Sequence, residues 1–298
     1  MKRIAFFGLG RMGLPMARRL LLAGHTLRIA LHSNPAPVAE LQKLGALVAD
    51  SPAEAVSGAE IVLSILPGDG EIEALLLSPE VQEGIHPGTI LIEMSTATSR
   101  CAERLAEVYR QKGVSVLDAP VSGGMKGAEE GTLTIIAGGD SAALEAVRPV
   151  LDVLASKIFH VGDAGAGKAM KAVNQMIVGA NAVIVSEALR VARHHGMDLE
   201  KVYEVISSST GASPIFLSKF QKMAGEDFTP GFTLALMKKD MKIALAEGAP
   251  CPLPMASLAY ALYLMIGEEG ERQDFSVVST LFRGNRESPR KNSGEIAR

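Results

Sequence analysis

The chain is poor in cysteine, in clustered positive charge and in long uncharged runs, and each shortage removes a class of protein. Of 298 residues only two are cysteines, Cys101 and Cys251, far apart in sequence. That leaves no disulfide framework and no zinc-ligand spacing, so no metal site is expected, and it fits a reducing compartment. The formal net charge is −3, with no basic block in the region expected to fold, so a nucleic acid finds no electrostatic footprint. The longest uncharged run, Ala172 to Ser186, contains Asn174, Gln175 and Asn181 and is too short and too polar to span a bilayer. The opening MKRIAFFGLG has basic and then apolar residues, but glycine and Arg11 cut it short of a signal peptide. The expectation is a soluble, cytoplasmic protein with no membrane contact. Its length suffices for two domains and a large core, and it carries no internal repeat.

What is present centres on Gly165 to Gly196, a stretch bracketed by glycines and free of proline. As one helix of ~30 residues it would span roughly 45 Å. Ala172 to Ser186 is apolar on nearly every face, which predicts a strut buried on all sides between two bodies. Lys171 and Asn174 lie at i and i+3 and share a face. A lysine there either snorkels to water or serves the site. Lys168 is placed on a different face and is expected to tolerate alanine.

The chain opens with an apolar strand, Arg3 to Phe7, followed at once by Gly8-Leu9-Gly10-Arg11-Met12-Gly13 and a helical stretch from Leu14 to Leu22. A G-x-G-x-x-G between strand and helix is the setting of a dinucleotide fingerprint. The first glycine permits the tight turn, the second lets a pyrophosphate approach, and the third lets helix pack on strand. Free N–H groups of the helix then face the anion. A merely tight βα turn is the plainer alternative. Leu27 to Leu31 reads as the second strand, and an NAD site usually has an acid at its end for the ribose 2′-OH. Here stand Leu31, His32, Ser33 and Asn34, with no carboxylate between Gly13 and Glu40. Nothing repels a 2′-phosphate, and His32, Ser33 and Asn34 can donate to it, so the cofactor expected is NADP in preference to NAD. No arginine stands there to clamp the phosphate.

The alternation continues through strands at Ile61 to Leu66, Ile90 to Glu93 and Val114 to Leu117, with a helix from Thr98 to Lys112. Ser95 and Thr96 follow a strand end, where ligands of open α/β sheets gather, although they also suit a helix N-cap. Ser122-Gly123-Gly124 exposes backbone N–H groups and a hydroxyl, either a nest for a carboxylate or an ordinary Pro/Gly turn. A strand from Gly131 to Ala137, a helix from Ala142 to Leu154 and a strand from Lys157 to Val161 complete a doubly wound Rossmann domain, residues 1–163. Beyond the long helix the chain is helical: Leu199 to Ser207, Ile215 to Ala224, Leu234 to Gly248, Pro254 to Glu268 and Asp274 to Phe282. Residues 164–283 therefore form an all-α domain for substrate and dimerisation, and residues 284–298 a polar tail expected to be disordered.

These stretches together resemble the β-hydroxyacid dehydrogenase family. The likeness rests on Gly8-Leu-Gly-Arg-Met-Gly-Leu-Pro-Met-Ala17, Asp118-Ala-Pro-Val-Ser-Gly-Gly124, Gly165-Ala-Gly-Lys-Ala-Met-Lys-Ala-Val-Asn174, Lys238-Lys-Asp240 and Asp274-Phe-Ser276. The family includes 3-hydroxyisobutyrate dehydrogenases, tartronate semialdehyde reductases and glyoxylate/succinic semialdehyde reductases. The resemblance implies a catalytic Lys171 assisted by Asn174 and substrate contacts at Ser122, Gly123 and Gly124. It also implies cofactor contacts at Leu66, Pro67 and Thr96, with Phe232, Lys239 and Asp240 closing the site from the second domain. Lys239 then joins the cofactor contacts, and Phe232 and Asp240 the substrate contacts. Asn174-Gln175, where many relatives carry two asparagines, is similar to the tartronate semialdehyde reductases.

The residue types fit hydride transfer at the β-carbon of a small carboxylate-bearing 3-hydroxy acid, with lysine moving the hydroxyl proton. Free lysine titrates near ~10.4, too high for a base at neutral pH, and burial lowers such a value. Two alternatives share the architecture, an imine reductase and a non-catalytic NADP-sensing protein, and Lys171 with Asn174 argues against both. The long apolar helix implies a homodimer or homotetramer.

Overall fold

A computed structural model of the protein describes residues 1–30 and 34–283; His32 and Ser33, and the tail from residue 284, lie outside the described residues. The elements in chain order are β1 (Arg3–Phe7), α1 (Gly13–Leu22), β2 (Thr26–Ala30), α2 (Ala36–Lys43), β3 (Leu47–Ala49), α3 (Pro52–Val56), β4 (Ile61–Ser64) and α4 (Asp69–Leu76). Next come α5 (Pro79–Gly84), β5 (Ile90–Glu93), α6 (Ser99–Arg110), β6 (Ser115–Asp118), β7 (Val121–Ser122), α7 (Gly124–Glu130), β8 (Leu133–Gly139), α8 (Ser141–Leu151) and β9 (Ala155–Gly162). Five α-helices follow: α9 (Ala166–His194), α10 (Leu199–Ser207), α11 (Pro214–Ala224), α12 (Leu234–Glu247) and α13 (Pro254–Leu264). Two 3₁₀ segments, Glu268–Gly270 and Phe275–Phe282, close the described chain.

One nine-stranded sheet runs in the order β3-β2-β1-β4-β5-β6-β8-β7, with β9 on β8. The first six pair in parallel, the doubly wound order of a dinucleotide-binding fold. The sheet is not parallel throughout: β8 runs antiparallel to both β6 and β7. β6 and β7 keep a single register against β8, from Leu117 opposite Gly139 to Ser122 opposite Thr134, so they form one edge interrupted only at Ala119 and Pro120.

Strand alternation makes both faces apolar. In β1, Ile4 and Phe6 join one cluster with Met16 and Leu20 of α1 and Val147 of α8. Ala5 and Phe7 join the other with Ile72 of α4 and Leu105 and Tyr109 of α6. Each large side chain so buried contributes about 1.5–3 kcal/mol.

The contacts divide the chain into two compact units. One is Met1–Met176 with Asp240–Pro252, and the other is Ile177–Lys239 with residues 253–283. Sequence puts the boundary at 163/164, but the first turns of α9 are held by the sheet. Gly165 N–H donates to Asp118 Oδ1 at 2.8 Å and Lys168 N–H to Asp118 Oδ2 at 2.9 Å. A Cβ on Gly167 would meet the carbonyls of Asp118 and Ile136 at 2.5 Å, so only glycine lets the helix approach that closely. The end of α12 is tied in similarly: Ser99 N–H and Oγ both donate to Glu247 at 2.7 Å.

The expectation that α9 is covered on all sides fails along one stripe. Met170, Val173, Ile177, Ile184 and Val191 are 46–59% exposed, at spacings of three, four and seven that keep them on one line. By length and composition α9 could cross a membrane, yet its start is a core helix with Lys168 and Lys171 both buried.

In the second unit, α10 and α11 pack through Tyr203, Phe216 and Phe220, with ring centroids 4.8–6.3 Å apart. The predicted helix from Asp274 is 3₁₀, with Asp274 capping it by accepting from Ser276 N–H.

Candidate functional site

The glycine turn after β1 is built by steric necessity. Gly8 has φ +93°, and a Cβ on it would sit 1.9 Å from the Ile65 carbonyl oxygen. A Cβ on Gly13 would sit 1.8 Å from the Gly8 carbonyl oxygen, so strand and helix meet there without side chains. At Gly10 a Cβ would meet nothing within 4 Å. Packing therefore does not require that glycine, and its open space is a cradle for a ligand approaching the backbone. No side chain caps the start of α1, and its first turn holds no acid. Leu14 N–H donates to the Gly10 carbonyl at 3.0 Å and Pro15 has no N–H, so Gly13 N–H is the helix-start amide with no side-chain acceptor and the one suited to an anion. Leu9 and Met12 are half-buried and Arg11 exposed on this turn. The residues fit a dinucleotide's pyrophosphate.

Three further turns end neighbouring strands. Leu66 and Pro67 follow β4, and Leu66 N–H donates to Ser95 Oγ at 2.6 Å. Thr96 is half-buried after β5. Ser122 ends β7, paired opposite Thr134 of β8, and Gly123 and Gly124 turn with φ of +132° and +63° into α7. A Cβ on Gly124 would again meet nothing within 4 Å. Asn34 is exposed, with Oδ1 accepting from Ala36 N–H at 3.1 Å, beside the undescribed His32 and Ser33.

α9 carries the remaining candidates of this unit. Lys171 is 6% exposed. Asn174, one turn on, donates from Nδ2 to Gln175 Oε1 at 2.9 Å, and Gln175 Nε2 donates to Asp240 Oδ2 at 2.7 Å. Asp240 and Gln175 are both buried. This amide–carboxylate relay links α9 to α12 and gives Gln175 a role that sequence reasoning missed.

Lys168 is the clear correction. Three residues are 300° of helix, so Lys168 lies only 60° from Lys171 around the axis, and the geometry that groups Lys171 with Asn174 groups Lys168 with Lys171. Lys168 is 1% exposed and ion-paired with Glu93, itself 1% exposed. Its replacement by alanine would leave Glu93 a lone buried carboxylate, a change that costs about 3–5 kcal/mol in buried pairs, so tolerance of alanine is no longer the expected outcome. Asp118, buried beneath the helix start, has its carboxyl pushed up by burial, against the opposing pull of the Gly165 N–H bond and the Lys168 charge.

Phe232 and Lys239 belong to the second unit. Gly231 and Phe232 N–H donate to Asp274 Oδ2 at 3.0 and 3.2 Å, and Lys219 Nζ lies 2.8 Å from both Asp274 oxygens. The Phe232 ring meets Phe275 edge-on at 5.9 Å. No His/Cys/Asp/Glu cluster suited to a metal occurs among the described residues.

Residues 3–162 match the model of the NAD-binding domain of 6-phosphogluconate dehydrogenase. Residues 165–282 match the model of the NAD-binding domain of NADP-dependent 3-hydroxyisobutyrate dehydrogenase. The chain belongs to the β-hydroxyacid dehydrogenase family. It is 37% identical to an NAD-dependent L-serine dehydrogenase of Pseudomonas aeruginosa, over 95% of this chain and 98% of that one. To 2-(hydroxymethyl)glutarate dehydrogenase of Eubacterium barkeri it is 38% identical, over 88% of each. The solved 3-hydroxyisobutyrate dehydrogenase of Mycobacterium tuberculosis with L-serine superposes at TM-score 0.88 and 34% identity, covering 95% of this chain and all of that one. Like its relatives, this β-hydroxyacid dehydrogenase is an NAD(P)-dependent oxidoreductase acting on the CH–OH group of a hydroxy acid.

Proposed function

We propose that this enzyme oxidises a small 3-hydroxy acid of the 3-hydroxyisobutyrate or tartronate semialdehyde/glycerate type, or reduces the matching semialdehyde, with Lys171 as general acid–base and NADP preferred to NAD. The observation that carries the reading is Lys171, buried at the head of α9 with Asn174 one turn on. The bound nicotinamide supplies the hydride acceptor or donor. The Ser122 hydroxyl and the amides of Gly123 and Gly124 receive the substrate carboxylate. Lys171 takes the proton of the β-hydroxyl in oxidation and returns it in reduction. Asn174 holds the amine or the substrate oxygen, and its amide is itself oriented by Gln175 and Asp240. The relatives named for L-serine and 3-hydroxyisobutyrate support a substrate with a carboxylate one carbon from the reacting CH–OH.

The deciding experiment is a panel of 3-hydroxyisobutyrate, L-serine, glycerate and tartronate semialdehyde with each cofactor, run on the wild type and Lys171→Ala. General acid–base catalysis supplies about 10²–10⁴-fold, so kcat falls by that factor while NADPH still binds at the glycine turn. A variant that keeps more than about a tenth of wild-type kcat and folds normally sinks the lysine assignment. The exposed stripe of α9 supports a second copy as its cover, giving a homodimer or homotetramer. Sedimentation as a 31.4 kDa monomer at micromolar concentration would refute that.

A further inference from the structure

One fully buried polar cluster has no part in the roles assigned so far. Lys168, Glu93 and Ser95 are each 2% exposed or less. Lys168 Nζ donates to Glu93 Oε2, to the Ser95 carbonyl at 2.5 Å and to the Glu93 carbonyl at 3.2 Å, using all three of its hydrogens. Glu93 Oε1 accepts from Ser95 N–H at 3.0 Å and from Ser95 Oγ. Ser95 Oγ in turn accepts from Leu66 N–H. One continuous run of hydrogen bonds thus passes from the turn after β4, through the turn after β5, to the first turns of α9. Asp118 adds a second grip on the Lys168 main chain.

A buried ion pair is a poor stabilising device, because well-packed apolar residues of similar volume usually serve as well or better. What such a pair fixes is geometry, since all its bonds close in only one relative placement of the three segments. Those segments carry Leu66 and Pro67, Thr96, and one turn beyond Lys168, Lys171. Hydride and proton transfer demand near-attack distances, and a displacement of about 1 Å can cost on the order of 10²-fold in rate.

We propose that Lys168, Glu93 and Ser95 are positioning residues that hold the α9 lysine, Lys171, in register with the cofactor-side turns at Leu66–Pro67 and Ser95–Thr96. The proposal rests on the reading of Lys171 as the proton-transfer group.

The test uses the full-length chain with the pair replaced by apolar residues of similar size, Glu93→Leu with Lys168→Met, so that no lone charge is buried. Three quantities are measured: thermal midpoint, NADPH affinity by nucleotide fluorescence, and kcat and KM on the best substrate of the panel. The expected result is a midpoint and an NADPH Kd close to wild type, KM within about threefold, and kcat down about 10–100-fold. Wild-type kcat in the double variant overturns the proposal. So does a parallel loss of thermal midpoint, NADPH affinity and kcat, which marks a merely structural pair. Ser95→Ala cuts the same run of bonds without touching a charge. Should the double variant not fold, a Ser95→Ala enzyme with wild-type kcat overturns the proposal, and one with a several-fold lower kcat at unchanged NADPH Kd supports it. Lys171→Ala assayed alongside separates the two ideas. If Lys171→Ala keeps its kcat, the lysine assignment falls. If it loses kcat while the pair variant does not, only the positioning role falls.

Discussion

The loop that carries Phe232 hangs on one buried carboxylate, and that makes Lys219→Met a strong perturbation. Asp274 is fully buried and accepts from Lys219 Nζ at 2.8 Å on each oxygen, and from the N–H groups of Gly231, Phe232 and Ser276 at 3.0, 3.2 and 3.1 Å. Burial alone raises this carboxyl, but the Lys219 charge and the hydrogen bonds outweigh it and hold it below the usual aspartate range. Removing one partner of a buried pair costs about 3–5 kcal/mol. The Lys219 side chain is 12% exposed, which favours the lower end. The Nζ also sits 4.7 Å from the Phe275 ring centre, a contact worth about 0.5–1 kcal/mol. A loss of ~3 kcal/mol at about 2 °C per kcal/mol for a chain of this size lowers the thermal midpoint by ~6 °C or more. The pH dependence has a definite sign. With its folded value depressed, Asp274 stabilises the wild type above the unfolded value of about 3.9 and loses that contribution as pH falls through the folded value. In Lys219→Met the carboxylate is buried without its cation, so acidification relieves it. Thermal scans followed by circular dichroism at several pH values should show a gap that is widest near neutral pH and narrows as pH falls towards and through about 4. A gap that is absent at neutral pH, or that widens in acid, refutes the reasoning.

The two kinds of glycine in the first turn should separate in one experiment. Gly13→Ala drives a Cβ to 1.8 Å from a backbone oxygen and should lower the thermal midpoint. Gly10→Ala meets no protein atom within 4 Å, so it should fold as the wild type does and lose NADPH affinity alone. For cofactor choice, His32→Asp supplies a 2′-OH acceptor and repels a 2′-phosphate. It should turn an NADPH preference towards NADH, measured as the ratio of kcat/KM, and equal use of both cofactors by the wild type would contradict the proposed lean.

Much of the fold was legible because its signals are local. The strands at Arg3–Phe7 and Ile90–Glu93 and the helix at Leu199–Ser207 coincide with their apolar runs and periodicity. The helices α2 to α5 and the strand β3 were not read, since each is three to eight residues long and too short to display a period. The antiparallel β8 could not be read either. Strand direction is set by where the chain returns to the sheet, and nothing in Leu133–Gly139 alone encodes that. The 3₁₀ form of Phe275–Phe282 was not read either; its start is held by Asp274, which accepts from Ser276 N–H and serves three other partners distant in sequence.

The site divides along the same line. The glycine turn was legible because sterics act between neighbours in sequence, and Lys171 with Asn174 because helical spacing does. Lys168 was misplaced against that same spacing, and spacing alone does not supply its role. The helix puts Lys168 and Lys171 within 60° of each other, and both are equally apt to face a site or a partner. What distinguishes them is Glu93, 75 residues upstream at the end of a strand whose other residues are apolar. The Gln175–Asp240 bond spans 65 residues and was equally hidden. A strand-end acid in an otherwise apolar strand is nevertheless a signal. At the carboxyl end of a parallel sheet it must find a cation, a cofactor hydroxyl or a helix terminus, and the lysine one turn before the proposed catalytic one is the partner this chain supplies.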